Sequence, residues 1–161
     1  MISGRFAPSS AAFLTALLTI TSLGCGNGAS PCTDCPAVEG KYRLDFADAG
    51  APAACAQQGV ALPDGELLNI DQTEGRLTTT VLGVPLQGTV SGRGTFSLSG
   101  TRAATAGSLG GSLSLAGSYT PPVEDGGTAR LTGSFVGNLA PQGASDAQRC
   151  NLNSPFSATR E

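Results

Sequence analysis

From Val38 onward, apolar residues recur at every second position, and that period dictates strands rather than helices. In the first such run Val38, Gly40, Tyr42, Leu44 and Phe46 form one face, and Glu39, Lys41, Arg43 and Asp45 form the other. Further runs follow at Glu66–Gln72, Arg76–Leu82, Pro85–Ser91, Thr95–Gly100, Ser112–Thr120, Arg130–Leu139 and Asn151–Arg160. The Thr73-Glu74-Gly75 link predicts a hairpin, Gly83-Val84 a second turn, and Pro121-Pro122 with Glu124-Asp125-Gly126-Gly127 a sharp break. No stretch beyond residue 37 has helical spacing, and residues 47–61 read as a long loop or a short helix.

Glycine stands two residues before an aromatic ring four times, at Gly40-x-Tyr42, Gly94-x-Phe96, Gly117-x-Tyr119 and Gly133-x-Phe135. A residue without Cβ lets a sheet bend, and a ring on the same face covers the bared backbone. Closing a sheet on itself needs such bends at several strands. The expectation is therefore all-β, a single antiparallel up-and-down barrel of about eight strands. Its interior is assigned to Tyr42, Phe46, Phe96, Tyr119, Phe135 and Phe156, which share the parity of their strands' apolar faces. Leu68, Ile70, Leu77, Val81, Leu86, Val90, Leu98, Leu113, Leu115 and Leu131 join them. A barrel of this size is either filled by its side chains or holds one small ligand.

Ahead of the barrel, Arg5, the apolar Ala11–Ile20 and the small residues up to Cys25 form an export signal, too short to span a bilayer. This segment resembles bacterial lipoprotein signals over residues 1–25, with Gly24 directly before the cysteine. Ser22 stands where that family usually has Leu, and Leu23 comes one step late. The resemblance implies a signal peptide over 1–24, cleavage before Cys25 and a palmitate-type acyl anchor on that cysteine. Ordinary signal peptidase cleavage, which Ser22-x-Gly24 also fits, would leave Cys25 a free thiol. Gly26 is not the Asp that retains such proteins at the inner membrane, so the resemblance implies a lipid-anchored place in the cell envelope, at the outer membrane. Residues 25–37 are small, polar and Pro-bearing and read as a flexible tether, leaving 38–160 as the barrel domain.

Five cysteines are an odd number for an exported chain. Giving Cys25 to lipid leaves Cys32, Cys35, Cys55 and Cys150 for disulfides, with three connectivities open. The Cys32-x-x-Cys35 pair lacks the βαβ setting of a redox motif and the second ligand pair of a zinc site. In a closed meander the loop leaving the first strand lies near the entrance to the last, which favours Cys55–Cys150 and a local Cys32–Cys35 bridge.

The chemistry available is narrow. Histidine is absent, which removes Ser-His-Asp and Cys-His arrangements. Net charge is −3 and the cations are scattered singly, so no patch meets nucleic acid. Asp45, Asp48, Asp64, Glu66, Asp71 and Glu74 are the carboxylates a hydrolase would draw on, yet most border Gly or Pro or sit on a polar face. The Gly-x-aromatic meander, a Cys before the second strand and a Cys before the closing Pro155-Phe-x-Ala-x-Arg160 resemble the small lipocalin-like and avidin-like barrels of bacterial lipoproteins, over residues 38–160. The Gly-x-Trp of true lipocalins is present only as Gly40-x-Tyr42. The resemblance is architectural and implies no activity. The expected function is a non-catalytic, envelope-anchored module with no cofactor or metal. It binds a small apolar ligand or serves a structural role, with a periplasmic inhibitor or adhesion-type protein-binding module as the alternative and a carboxylate-dependent hydrolase as the distant one.

Overall fold

The computed structural model describes residues 32, 34–48, 50–123, 127–145 and 148–161. The expected signal peptide and Cys25 lie outside them. Eight strands run in sequence order: β1 (Gly40–Phe46), β2 (Leu67–Thr73), β3 (Arg76–Val81), β4 (Val84–Val90), β5 (Thr95–Arg102), β6 (Gly110–Thr120), β7 (Arg130–Ala140) and β8 (Cys150–Arg160). Each pairs antiparallel with its neighbours, and β8 returns to β1, so the sheet is a closed barrel. A single helical turn, α1 (Ala53–Ala56), lies between β1 and β2, where Cys55 and Ala56 donate their N–H groups to Pro52 O.

The alternation in the sequence becomes the two faces of the wall. The six aromatic residues assigned to the interior are all buried, as are the ten aliphatic residues placed with them. Phe46 meets Phe135 edge-on at 5.7 Å between ring centroids and Phe156 at 6.2 Å. Tyr42, Leu77, Leu86, Leu98, Leu115, Leu131 and Phe135 have 0% of their surface accessible, so no water-sized space touches them. Side chains occupy the middle of the barrel, at the close packing usual for protein interiors.

Glycine faces glycine between β6 and β7. A lateral row runs from Phe46 through Phe156, Gly133, Gly117 and Phe96 to Val90. A Cβ on Gly117 would lie 2.0 Å from Thr132 O, and one on Gly133 2.1 Å from Ala116 O. Only a bare backbone allows β6 and β7 to fold so tightly together there. The flanking rings, Phe96 and Phe156, come from the neighbouring strands rather than from along the glycine's own strand. Gly94 departs from the expected role: it sits in the β4–β5 turn at φ 78°, not within a bend of the sheet.

Turn geometry corrects one boundary. Glu74-Gly75 and Leu82-Gly83 are both two-residue links with positive φ at each position, the pattern of type I′ hairpins. The second turn is therefore Leu82-Gly83 rather than Gly83-Val84, and Val84 already belongs to β4, fully buried. A Gly in the second central position was the available signal, hidden because Leu82 continues the apolar pattern.

Two seams interrupt the ladders. β2 pairs with β1 through Leu67–Ile70 but with β3 only through Asp71–Thr73. Where the second ladder opens, the Thr79 hydroxyl donates to Asn69 O at 2.6 Å. β8 pairs with β7 along its whole length but with β1 only from Phe156 to Arg160. α1 packs against β8, and the Cys55–Cys150 disulfide joins them. Pro155, which has no N–H to give, stands in the part of β8 that has no β1 partner.

Candidate functional site

The barrel has two unlike rims. One gathers the N-terminal segment 32–39, the turns at 74–75 and 91–94, the 121–129 loop and the C-terminus. The other gathers the long 47–66 connection with α1, the 82–83 turn and the loops 103–109 and 141–149.

The N-terminal rim is latched by the last two residues. Arg160 stands opposite Tyr42 in the β1–β8 register, with its guanidinium carbon 5.9 Å from the Tyr42 ring centroid, a cation–π arrangement. The same side chain donates to Glu39 O, and its backbone N–H donates to Ala129 O at 2.9 Å. Gly40 admits it: at φ 142° a Cβ there would lie 2.6 Å from Arg160 Nε. Glu161 donates its N–H to Lys41 O, and its carboxylate pairs with Arg43. The Tyr42 hydroxyl donates to Val38 O at 2.8 Å. Burial is the main cause that pushes the Tyr42 phenol up to about 12; Arg160 opposes the shift and Tyr119 adds to it.

The residues just ahead of β1 are seated on this rim. Val38 N–H donates to Gln72 Oε1 at 2.7 Å, and Gln72 Nε2 donates to Pro36 O at 3.1 Å. Cys32 and Cys35 form a disulfide, and Cys35 Sγ lies 3.3 Å from Val90 O. This cross-link belongs to the rim's framework, and the second half of the expected tether is docked on the barrel.

At the helix rim Cys55 and Cys150, both fully buried, form the second disulfide expected from barrel closure. Gln58 Nε2 donates to Gln148 O and ties the helical turn to the β7–β8 loop, while Gln58 Oε1 is buried without a partner. Arg102 bridges two loops, donating to Leu109 O at 3.0 Å and Leu82 O at 3.2 Å. Between Gln58 and the loops 103–109 and 141–149 runs an open groove of about 360 Å³ lined by Gln58, Thr105, Ser108, Leu109 and Pro141.

The carboxylates do not converge. All six are exposed. Asp45, Asp48, Asp64 and Glu66 lie toward the helix rim, whereas Asp71 and Glu74 lie toward the other. Asp64 Oδ1 accepts the Phe46 N–H at 2.9 Å, a structural cap on the end of β1. Among the described residues no group of three His, Cys, Asp or Glu is placed to hold a metal ion. Across β5–β8 the outward rows are uncharged: Ser97, Ala116, Ser134 and Pro155 form one, and Ser99, Ser114, Val136 and Asn153 the next.

No family model, curated protein or solved structure matches this chain. Its geometry alone carries the functional reading.

Sequence reasoning missed the Arg160–Tyr42 latch and the Gln72 clamp. Arg160 did carry a signal, since it is a cation on the same parity as Phe156 and Ala158. Gln72 carried none: an amide at a strand end has many ordinary uses.

Proposed function

We propose that this chain is an envelope-anchored lipoprotein, lipidated at Cys25, whose barrel is a non-catalytic module with a structural or protein-binding role exerted through its helix rim. The packed interior carries this reading. A carrier of apolar ligands needs internal space, which pockets for such molecules supply at several hundred Å³. Here the residues that would line that space are all buried, and those at its middle, such as Tyr42, Leu98, Leu115 and Phe135, have no accessible surface. The protein-binding alternative gains from the longest connection, 47–66 with its helical turn, which gathers with the 103–109 and 141–149 loops at one rim. The dispersal of the carboxylates over both rims argues against a hydrolase, which holds two of them across one cleft.

Fractionation tests the anchor. Cys25→Ser is expected to move the protein from the membrane to the soluble fraction and to abolish incorporation of labelled palmitate; unchanged partition overturns lipidation. Native mass spectrometry of delipidated protein with a fatty-acid mixture tests the interior, and a one-to-one apolar adduct would overturn the non-carrier reading.

A further inference from the structure

We infer that the N-terminal rim rests on the phospholipid headgroup surface and that the helix rim points away from it, an orientation that rests on the lipidation proposed above. The chain leaves the barrel at a fixed place. The Cys32–Cys35 ring, with Sγ of Cys35 against Val90 O, and the Gln72 clamp on Pro36 and Val38 hold that exit at the N-terminal rim. From Cys25 to Cys32 there are seven residue steps, which reach at most about 25 Å fully extended. That reach is about the length of a seven-residue strand, so turning the other rim to the membrane would require the tether to lie fully extended along the barrel wall, which is entropically disfavoured.

The rim is furnished for such a surface. Val123, 88% exposed, projects from the 121–129 loop directly after Pro121 and Pro122. Arg76 begins β3, Arg93 sits in the 91–94 turn and Arg130 begins β7; all three are exposed and form no ion pair among the described residues. Guanidinium groups meet phosphate oxygens bidentately, and the apolar tip suits the boundary between headgroups and acyl chains. Asp34, Glu39, Asp71 and Glu74 share this rim, and Glu124 and Asp125 follow Val123 in the sequence, so net charge is not the drive. A short tether supplies a millimolar effective concentration instead, which makes a weak contact sufficient.

The chain contains no tryptophan, so an introduced one reports alone. Val123→Trp places it on the N-terminal rim. Ala106→Trp places it in the exposed turn of the 103–109 loop on the other. Full-length lipidated protein is reconstituted in vesicles of phosphatidylethanolamine and phosphatidylglycerol with brominated acyl chains. The expected result is a blue-shifted Val123→Trp emission quenched about twofold or more, as for a residue at the acyl boundary, with Ala106→Trp unchanged. Adding Arg76→Glu and Arg93→Glu should lower the quenching. If the protein floats with the vesicles while neither tryptophan is quenched, or Ala106→Trp is quenched instead, the orientation is overturned and the lipid anchor stands. Failure of the wild-type chain to float overturns both.

Discussion

Tyr42 buries its ring completely while its hydroxyl donates to the carbonyl of Val38. That environment holds the phenol near 12, against about 10 in an unfolded chain. Below pH 10 both states keep the proton and the native contact contributes in full. Above it the unfolded chain ionises first, so stability falls from about pH 10 and the contribution is gone by about pH 12, a loss of roughly 2–3 kcal/mol. Urea unfolding at about pH 9 and about pH 11.5 checks this. Tyr42→Phe should start lower by about 1 kcal/mol, because Val38 O loses its donor, yet lose less over the same interval. An equal loss in both proteins would place the titration elsewhere.

The elements owe their positions to the same alternation that made them readable. β1, β6 and β7 follow a strict period of two, and their limits were visible to within a residue or two. β3 was read one residue too long because Leu82 is apolar and only its backbone, at φ 49°, marks the turn. α1 lay in a segment recognisable only as a loop or short helix, since a single turn gives no periodicity. Its docking depends on Cys55, and the disulfide to Cys150 spans 95 residues of sequence. Replacing both cysteines with Ala should cost up to about 4.7 kcal/mol on chain-entropy grounds, within the usual range of about 2–5 for small secreted domains. Hydrogen exchange should locate the damage: amides of Cys150–Ser154 lose protection before those of β6, because that half of β8 has no β1 partner. Uniform loss across both strands would mean that α1 does not cover β8.

At the scale of the whole molecule, closure was legible and content was not. Eight alternating runs with glycine ahead of rings implied a barrel, and the odd cysteine count pointed to the two bridges. Whether the middle was filled depends on how side chains of opposite walls meet, which no pattern along one strand records. The rims were still less readable, because Arg160, Gln72 and Gln58 act on backbone atoms far away in sequence. The β1–β8 ladder makes the architecture indivisible. Removing Ser157–Glu161 takes away most of β1's partners on that side together with the Arg160 latch. The truncated chain is expected to lose its cooperative thermal transition in calorimetry and to elute as aggregates; a monomer with a sharp transition would show that the barrel stands without full β1–β8 closure.

That ladder also sets a timetable. On the export route proposed above, the chain would cross the membrane from its N-terminus, so β1 would arrive first and wait for β8. Until then both ends of the meander present unpaired backbone, the template for sheet growth between molecules. Cys55 waits in the same way for Cys150. Pairings this distant in sequence form slowly, in milliseconds to seconds for β-rich topologies. Copies anchored as proposed above would meet edge to edge during that interval, so the time before β8 arrives decides whether each barrel closes on itself or on another.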